Sequence, residues 1–165
     1  MKNKLCEMFG IDVPIFAFSH CRDVVVEVSK AGGMGVLGMA RMDPDRLEEE
    51  LNWIDEHIEG KPYGIDVLMS GNVTDSGDLK YEPEKLLPKE HVDFVRRMLD
   101  EAGVPPLPEG EEESIRREIV KGMNFTPRES LDMINRAMKH PIKLIVNALG
   151  TPPAALIEEA HSKGI

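Results

Sequence analysis

The chain has 165 residues, with 20 Lys and Arg against 30 Asp and Glu, a net charge of −10 and an isoelectric point near 5.0. Its 41% hydrophobic content is enough for a buried core and excludes an intrinsically disordered protein. The acidic balance, without a basic cluster or a long apolar run, excludes a nucleic-acid or membrane partner. We therefore expect a cytoplasmic protein that acts on a small molecule.

The two cysteines, Cys6 and Cys21, lie outside any C-x-x-C pattern. A zinc site or a redox dithiol is therefore not predicted, and no metal is expected. Both residues are interpreted as reduced thiols, which suits a cytoplasmic protein.

Short apolar strands alternate with helices in the first part of the chain. Strands are predicted at residues 13–18, 34–38 and 62–69. A helix is predicted over residues 22–31, with Gly32-Gly33 as its stop and an apolar face formed by Val24, Val25, Val28 and Ala31. The next helix begins with Asp43 as N-cap and Pro44 at its first position, runs to Gly60, and has Leu47, Leu51, Ile54 and Ile58 on one face.

The alternation is interrupted between residues 70 and 125. Helices are predicted at residues 88–102 and 112–121, separated by a Pro-rich acidic turn, and residues 70–87 are polar. An insertion of this length in a repeating α/β pattern is usually a functional lid or a surface addition. We predict a helical insertion or lid after the third strand.

The alternation resumes with a capping box, in which Thr126 is the N-cap and Glu129 occupies position N3. This helix should bury Leu131, Ile134 and Met138. A fourth strand is predicted at residues 142–147, and a fourth helix follows Thr151-Pro152-Pro153 with Leu156, Ile157 and Ala160 inside.

Four βα units predict an α/β protein that forms the first half of a TIM (β/α)₈ barrel, a fold of about 250 residues. A flavodoxin-like open sheet is the alternative. Polar groups directly after the short strands favour the barrel, and in either fold such positions lie where ligands bind. They are Ser19-His20, Gly38, Asp66 and Asn147.

Gly33-x-Gly35-x-x-Gly38 matches the dinucleotide fingerprint, but a helix precedes it and a strand contains it, which is the reverse of the required order. We interpret it as a helix cap and a closely packed strand, with Gly38 leaving room for the edge of a flat ligand.

Asp66 interrupts an apolar strand, so its carboxylate should meet an internal Arg or Lys or face a hydrogen-bonding ligand. Two roles fit Asn147 equally: contact with a ligand, and formation of the turn after the strand. Residues 19–22, Ser-His-Cys-Arg, carry reactive side chains in a row. A nucleophile among them would need a base that the fold brings into contact with it, because neighbours in the chain usually point apart. The histidines at 57, 91, 140 and 161 lack metal-ligand spacing and are expected at the surface.

Four segments together identify a family: PIFAFSHCRD at 14–23, VSKAGGMGVLG at 28–38, KPYGIDVL at 61–68 and NALGTPP at 147–153. With them the chain resembles the amino-terminal half of the nitronate monooxygenase family, formerly called 2-nitropropane dioxygenase. The resemblance covers all of the chain except residues 70–125.

This resemblance implies an FMN-binding TIM barrel that oxidises alkyl nitronates with molecular oxygen. It implies cofactor contacts at Ala17, Phe18, Ser19, Gly38, Asp66 and Asn147, with Asp66 accepting a hydrogen bond from the pyrimidine edge of the flavin. Association into a homo-oligomer stays open.

The chain departs from the family pattern at two places and lacks two of its sites. Family members more often have Ala-Pro-Met at Phe18-Ser19-His20, and Asn at Asp66. The family's catalytic His lies in a Gly-Gly-His segment beyond the fourth unit, and its phosphate site lies in late βα loops. No catalytic residue is therefore assigned, and we expect residues 1–165 alone to be inactive.

Two other functions stay open at this stage. One is the related flavin-dependent enoyl-acyl-carrier-protein reductase, which shares the barrel but reduces a fatty-acyl thioester with a nicotinamide donor. The other is a non-catalytic half-barrel that binds a ligand or partner, with unpaired strand edges that promote association.

Overall fold

A computed structural model describes residues 3–69, 88–108, 110–111, 114–115 and 127–165. The chain forms two compact units. The first consists of Met1–Asp75 and Gly122–Ile165, and the second of Ser76–Lys121.

The first unit is built on four parallel strands: β1 (Phe16–Ser19), β2 (Met34–Gly38), β3 (Tyr63–Val67) and β4 (Leu144–Asn147). Their spatial order is β1-β2-β3-β4, so each strand pairs with its neighbour in sequence. This order differs from the doubly wound orders, which reverse at a switch point, and it is compatible with consecutive strands of a partial barrel. The predicted α/β class with parallel strands is confirmed.

The helices α2 (Arg22–Lys30), α3 (Pro44–His57) and α5 (Pro127–Ala137) pack on one face of this sheet, the helix face. A Cβ at Gly35 would overlap the backbone of Val25, so α2 lies directly against β2. Because side chains alternate along a strand, Leu37 shares the helix face with Gly35. The main core lies here and includes Leu37, Leu51, Ile54, Ile65 and Ile134, all fully buried.

Helix α3 follows the sequence prediction closely. The Asp43 side chain accepts a hydrogen bond from the Arg46 amide at 2.9 Å, and Pro44 occupies the first turn. Leu47, Leu51 and Ile54 are fully buried, as the spacing predicted.

The predicted buried face of α2 was partly wrong. The helix buries Val25, as predicted, together with Val26 and Ser29, whereas Val24 is 41% exposed and Ala31 is exposed too. The Ser29 hydroxyl accepts a hydrogen bond from the Gly35 amide at 2.9 Å. This bond places a polar residue inside the packed face, where an apolar period alone predicts none.

A short helix, α1 (Lys4–Phe9), was not predicted. Its six residues are fewer than two turns and carry no clear apolar period. Asn3 caps it by accepting from the Cys6 amide at 3.1 Å, and Gly10 ends it at a φ of 67°. Cys6 and Ile11 pack on Met34 of β2, on the face opposite the helix face, near the strand starts.

Helix α5 buries Met133, Ile134 and Ala137, and Met138 directly after it is buried too, but Leu131, predicted inside, is 37% exposed. The capping box is not described, since Thr126 and the Glu129 side chain lie outside the described residues. Helix α6 (Ala154–Ser162) buries Leu156 and Ala160 as predicted, whereas Ile157, also predicted inside, is half-buried.

In the second unit, α4 (Lys89–Glu101) confirms the helix predicted at 88–102. Phe94, Val95, Met98 and Leu99 are exposed on it. The polar segment 70–87 and all but two residues of the helix predicted at 112–121 lie outside the described part of the chain. Among the described residues, no helix has the length and apolar character needed to cross a bilayer.

Candidate functional site

The predicted site residues lie at the carboxyl ends of the four strands. Ser19, Gly38 and Asn147 are the last residues of β1, β2 and β4, and Asp66 lies one residue before the end of β3. In parallel α/β folds this end of the sheet is where ligands bind.

Strand alternation separates these residues into two groups. Gly38 pairs with Asp66 in register, and Phe18 pairs with Val36. All four lie on the face opposite Leu37 and Ile65, which we call the site face. Phe18, Gly38 and Asp66 therefore come together, at one end of one face.

Gly38 is the point around which this group is arranged. A Cβ placed on it would come within 2.6 Å of the Phe18 ring and 2.8 Å of the His20 ring. The two rings meet edge to face, with centroids 5.0 Å apart and an interplanar angle of 79°. The absence of a side chain at Gly38 thus lets both aromatic rings lie against the end of β2.

His20 joins this group through a hydrogen bond. Its Nδ1 lies 3.1 Å from the carbonyl oxygen of Gly38, which can only accept, so Nδ1 carries a proton. The sequence placed His20 among the polar groups that follow the strands but did not include it among the expected cofactor contacts. The available signal was its position immediately after the first strand, in the run 19–22.

Asp66 carries the strongest sign of a binding site. Its Oδ1 is buried and accepts no hydrogen bond from any described residue. Burial raises the pKa of Asp66, while the nearby His20 charge and the Val67 amide act in the opposite direction. Of the two predicted environments, an internal Arg or Lys partner is not found among the described residues. An unpartnered buried acceptor is costly and requires an explanation.

Ala17, Ser19 and Asn147 lie on the other side of the strands, by the same alternation. The Ser19 hydroxyl accepts from the Cys21 amide at 3.0 Å, just before α2. The run 19–22 is thus arranged by a local turn, and His20 Nδ1 is directed to Gly38 rather than to the Cys21 thiol.

The Asn147 side chain is used to join two loops. Its Oδ1 accepts from the Met69 amide at 2.9 Å, and its Nδ2 donates to the carbonyls of Met69 at 2.9 Å and Gly150 at 2.8 Å. These bonds include the turn-forming role that the sequence left open. They hold the segments after β3 and β4 together at the site end of the sheet.

A second polar cluster lies near the strand starts. Asp55 of α3 accepts from the Tyr63 hydroxyl at 2.7 Å through Oδ1, and its Oδ2 lies 2.7 Å from His140 Nδ1. His140 Nε2 is 3.6 Å from Glu48 Oε1. The expectation that His140 is at the surface was wrong, since its side chain is 7% exposed. Burial raises the pKa of Tyr63, with the Asp55 carboxylate adding to the effect.

An apolar groove of about 500 Å³ runs along the outer edge of β4. Its walls include Phe9 of α1, Leu144 and Ile145 of β4, and Leu156 and Ala160 of α6. The groove is away from Asp66 and Gly38. Among the described residues there is no group of three His, Cys, Asp or Glu side chains that could hold a metal ion.

Comparison with known proteins connects this chain to monooxygenases. No family model matches it. A Mycobacterium tuberculosis protein named as a monooxygenase, Rv1533, is 39% identical over 168 residues, covering 100% of this chain and 44% of the relative. Proteins of Staphylococcus aureus strains JH9 and Newman, named as nitronate monooxygenases, are 29% identical over 72 residues, covering 41% of this chain and 20% of each relative. The chain thus spans less than half the length of these curated relatives.

Proposed function

Because this chain resembles a nitronate monooxygenase-like family, as its sequence predicted, we propose that it is part of a cytoplasmic FMN-dependent oxidoreductase that oxidises alkyl nitronates with molecular oxygen. The relatives' names support a monooxygenase in general. FMN, the nitronate substrate and O₂ are our proposal for the whole protein.

The unpartnered Oδ1 of Asp66 is the observation that carries this proposal. A buried carboxylate oxygen is stabilised when a ligand donates a hydrogen bond to it. The pyrimidine edge of a flavin has such an N–H group. Asp66 thus fits the role that the family resemblance implies.

The surroundings of Asp66 also suit a flat aromatic ligand. Gly38, its register partner, presents no side chain toward the site face, and the exposed Phe18 ring offers an apolar surface beside it. Binding sites commonly combine apolar walls with a few polar groups that orient the ligand. FMN would supply the electron transfer to oxygen, and the protein would supply its position and electrostatic environment.

Ala17, Ser19 and Asn147 would have supporting roles in the same pocket. The side chains of these residues lie away from the site face, so Ala17 and Ser19 would reach the cofactor through their main chain. Asn147 would shape the pocket wall through its bonds to Met69 and Gly150.

For the whole protein we propose a TIM (β/α)₈ barrel of which this chain supplies the first four βα units. The consecutive strand order supports this architecture. The groove along β4 supports it too, because its apolar walls suit the packing of a further strand and helix. Residues 70–125 would form an insertion or lid after β3.

FMN titration of the native full-length protein tests the cofactor and the role of Asp66 together. Wild-type protein should quench FMN fluorescence with a saturable curve. Asp66→Ala should raise the Kd by about tenfold or more, because a hydrogen bond to a charged group is worth about 1.5–3 kcal/mol. Asp45→Ala, which removes an exposed carboxylate from the first turn of α3, is the matched control and should leave the Kd unchanged.

The reaction is tested by oxygen consumption with an alkyl nitronate in the FMN-loaded protein. NADH oxidation with an enoyl thioester, and none of the nitronate reaction, would select the reductase instead. Saturable FMN binding that is unchanged by Asp66→Ala would remove the proposed role of Asp66. Failure of the wild-type protein to bind FMN would overturn the flavoenzyme proposal itself.

A further inference from the structure

The His20 ring has a defined position although the residue is exposed. Its Nδ1 donates to the Gly38 carbonyl at 3.1 Å, and the Phe18 ring lies edge to face against it at 5.0 Å. Two contacts of different kinds therefore fix the ring at the site end of β2.

One nitrogen of this ring is left for a ligand. Nε2 of this exposed residue makes no hydrogen bond with the residues that the structure describes, whereas Nδ1 is committed to Gly38. Cε1, which lies between the two nitrogens, is the ring atom nearest to the position of a Gly38 Cβ. Nε2 is bonded to Cε1 and therefore lies close to Gly38, whose missing side chain makes room for the Phe18 and His20 rings themselves.

Asp66 lies beside the same glycine. It is the register partner of Gly38, its buried Oδ1 is unpartnered, and it is close enough to His20 for the two charges to interact. An imidazolium would donate from both nitrogens, to Gly38 and to a ligand, while the carboxylate accepts. When the His20 ring carries both protons, the pair offers one donor and one acceptor beside the same glycine.

We propose that His20 contacts the ligand through Nε2, and that His20 and Asp66 together recognise a planar heterocycle that carries an N–H beside a carbonyl oxygen. This inference rests on the proposed function, in which that heterocycle is the flavin pyrimidine ring: Asp66 accepts from the ring N–H, and His20 donates to the neighbouring carbonyl. It assigns a polar contact to a position where family members more often have another residue.

Two substitutions separate the nitrogens of His20. In His20→Asn the side-chain amide can replace Nδ1 as donor to the Gly38 carbonyl but reaches no farther. In His20→Gln the amide nitrogen lies near the place of Nε2. Because His20 is exposed, neither change removes core packing. Cys21→Ser, at the exposed neighbouring residue, is the control.

The readouts are the Kd for FMN, the visible absorption spectrum of bound FMN and the melting temperature, all in the native full-length protein. His20→Asn should keep the melting temperature, raise the Kd by about tenfold and shift the flavin spectrum, because a hydrogen bond to the chromophore is lost. His20→Gln should keep the Kd within about threefold of wild type and retain its spectrum, and Cys21→Ser should match wild type in every readout.

Other outcomes overturn the inference in distinguishable ways. If His20→Asn binds FMN like wild type and His20→Gln does not, His20 acts only by holding the end of β2. If both variants bind like wild type, His20 makes no ligand contact, while the flavin proposal stands. If wild-type protein binds no FMN, the flavin proposal and this inference fail together.

Discussion

The carboxylates at the two ends of the sheet differ in their hydrogen bonding. At the strand starts, both oxygens of Asp55 have partners, Tyr63 and His140. At the strand ends, Oδ1 of Asp66 is buried without one. Polar groups that are satisfied within the fold contribute to stability, whereas an unsatisfied one carries a cost that a bound ligand would offset. The contrast fits a stabilising role for Asp55 and the binding role that we propose for Asp66.

The largest effect on stability should come from removing Asp55, the carboxylate whose hydrogen bonds are complete. Asp55→Ala would leave the buried Tyr63 hydroxyl and the His140 ring without their shared acceptor. We expect the free energy of unfolding to fall by about 3 kcal/mol, measured by urea denaturation. FMN affinity should change little, since the site lies at the other end of the strands.

Asp45→Asn, an exposed change on the same helix, should stay within about 0.5 kcal/mol of wild type. Unchanged stability in Asp55→Ala would mean that the cluster gives no net stabilisation over its desolvation cost.

Gly35 and Gly38 of β2 extend this comparison, because Gly35 lies on the helix face and Gly38 on the site face. A Cβ at Gly35 would meet the Val25 backbone, which cannot move without shifting α2. Gly35→Ala should therefore lower the free energy of unfolding by about 2 kcal/mol. A Cβ at Gly38 would meet the outer atoms of the Phe18 and His20 side chains, which can rotate away.

Gly38→Ala should therefore cost less stability than Gly35→Ala, but it should weaken FMN binding because it displaces both rings. Denaturation curves and FMN titration of the two variants check this pair. Equal loss of stability in both, with FMN binding retained in Gly38→Ala, would contradict the assignment of Gly38 to the site.

The smallest expected effect is a gain in stability when Asp66 is replaced. Burial raises the pKa of Asp66 in the folded protein above its unfolded value. The cost of its charge is thus absent below the unfolded pKa of about 3.9, grows as the pH rises, and is complete above the folded pKa. Asp66→Asn removes this cost, so the cofactor-free protein should become slightly more stable at pH 7.

The gain from Asp66→Asn should shrink as the pH falls and vanish near pH 3. Melting temperatures of both proteins at several pH values measure it. A gain that is independent of pH would show that it arises from something other than the Asp66 charge.

Local signals in the sequence predicted most of the elements. Asp43 and Pro44 marked the start of α3, and its apolar spacing identified the buried face. The segment 34–38 was predicted as a strand with the bounds that the structure has. The resemblance to a family required only short motifs. These features depend on residues that are neighbours in the chain, so the sequence displays them directly.

The misses depend on residues that are distant in the chain. His140 is buried because it meets Asp55, 85 positions away, and His20 is fixed by Gly38, 18 positions away. The Ser29 hydroxyl enters the buried face of α2 because it meets the Gly35 amide. Periodicity counts apolar residues and cannot find a polar side chain whose partner comes from another element.

The sequence alone determined the alternation of strands and helices, the family resemblance and the candidate residues at the strand ends. Only the tertiary structure decided which of those candidates share a face. Strand pairing in register brings Phe18, Gly38, Asp66 and His20 together and directs Ala17, Ser19 and Asn147 elsewhere. The reason is geometric: neighbouring residues of a strand point to opposite faces, so a site forms from residues that register, rather than proximity in sequence, places side by side.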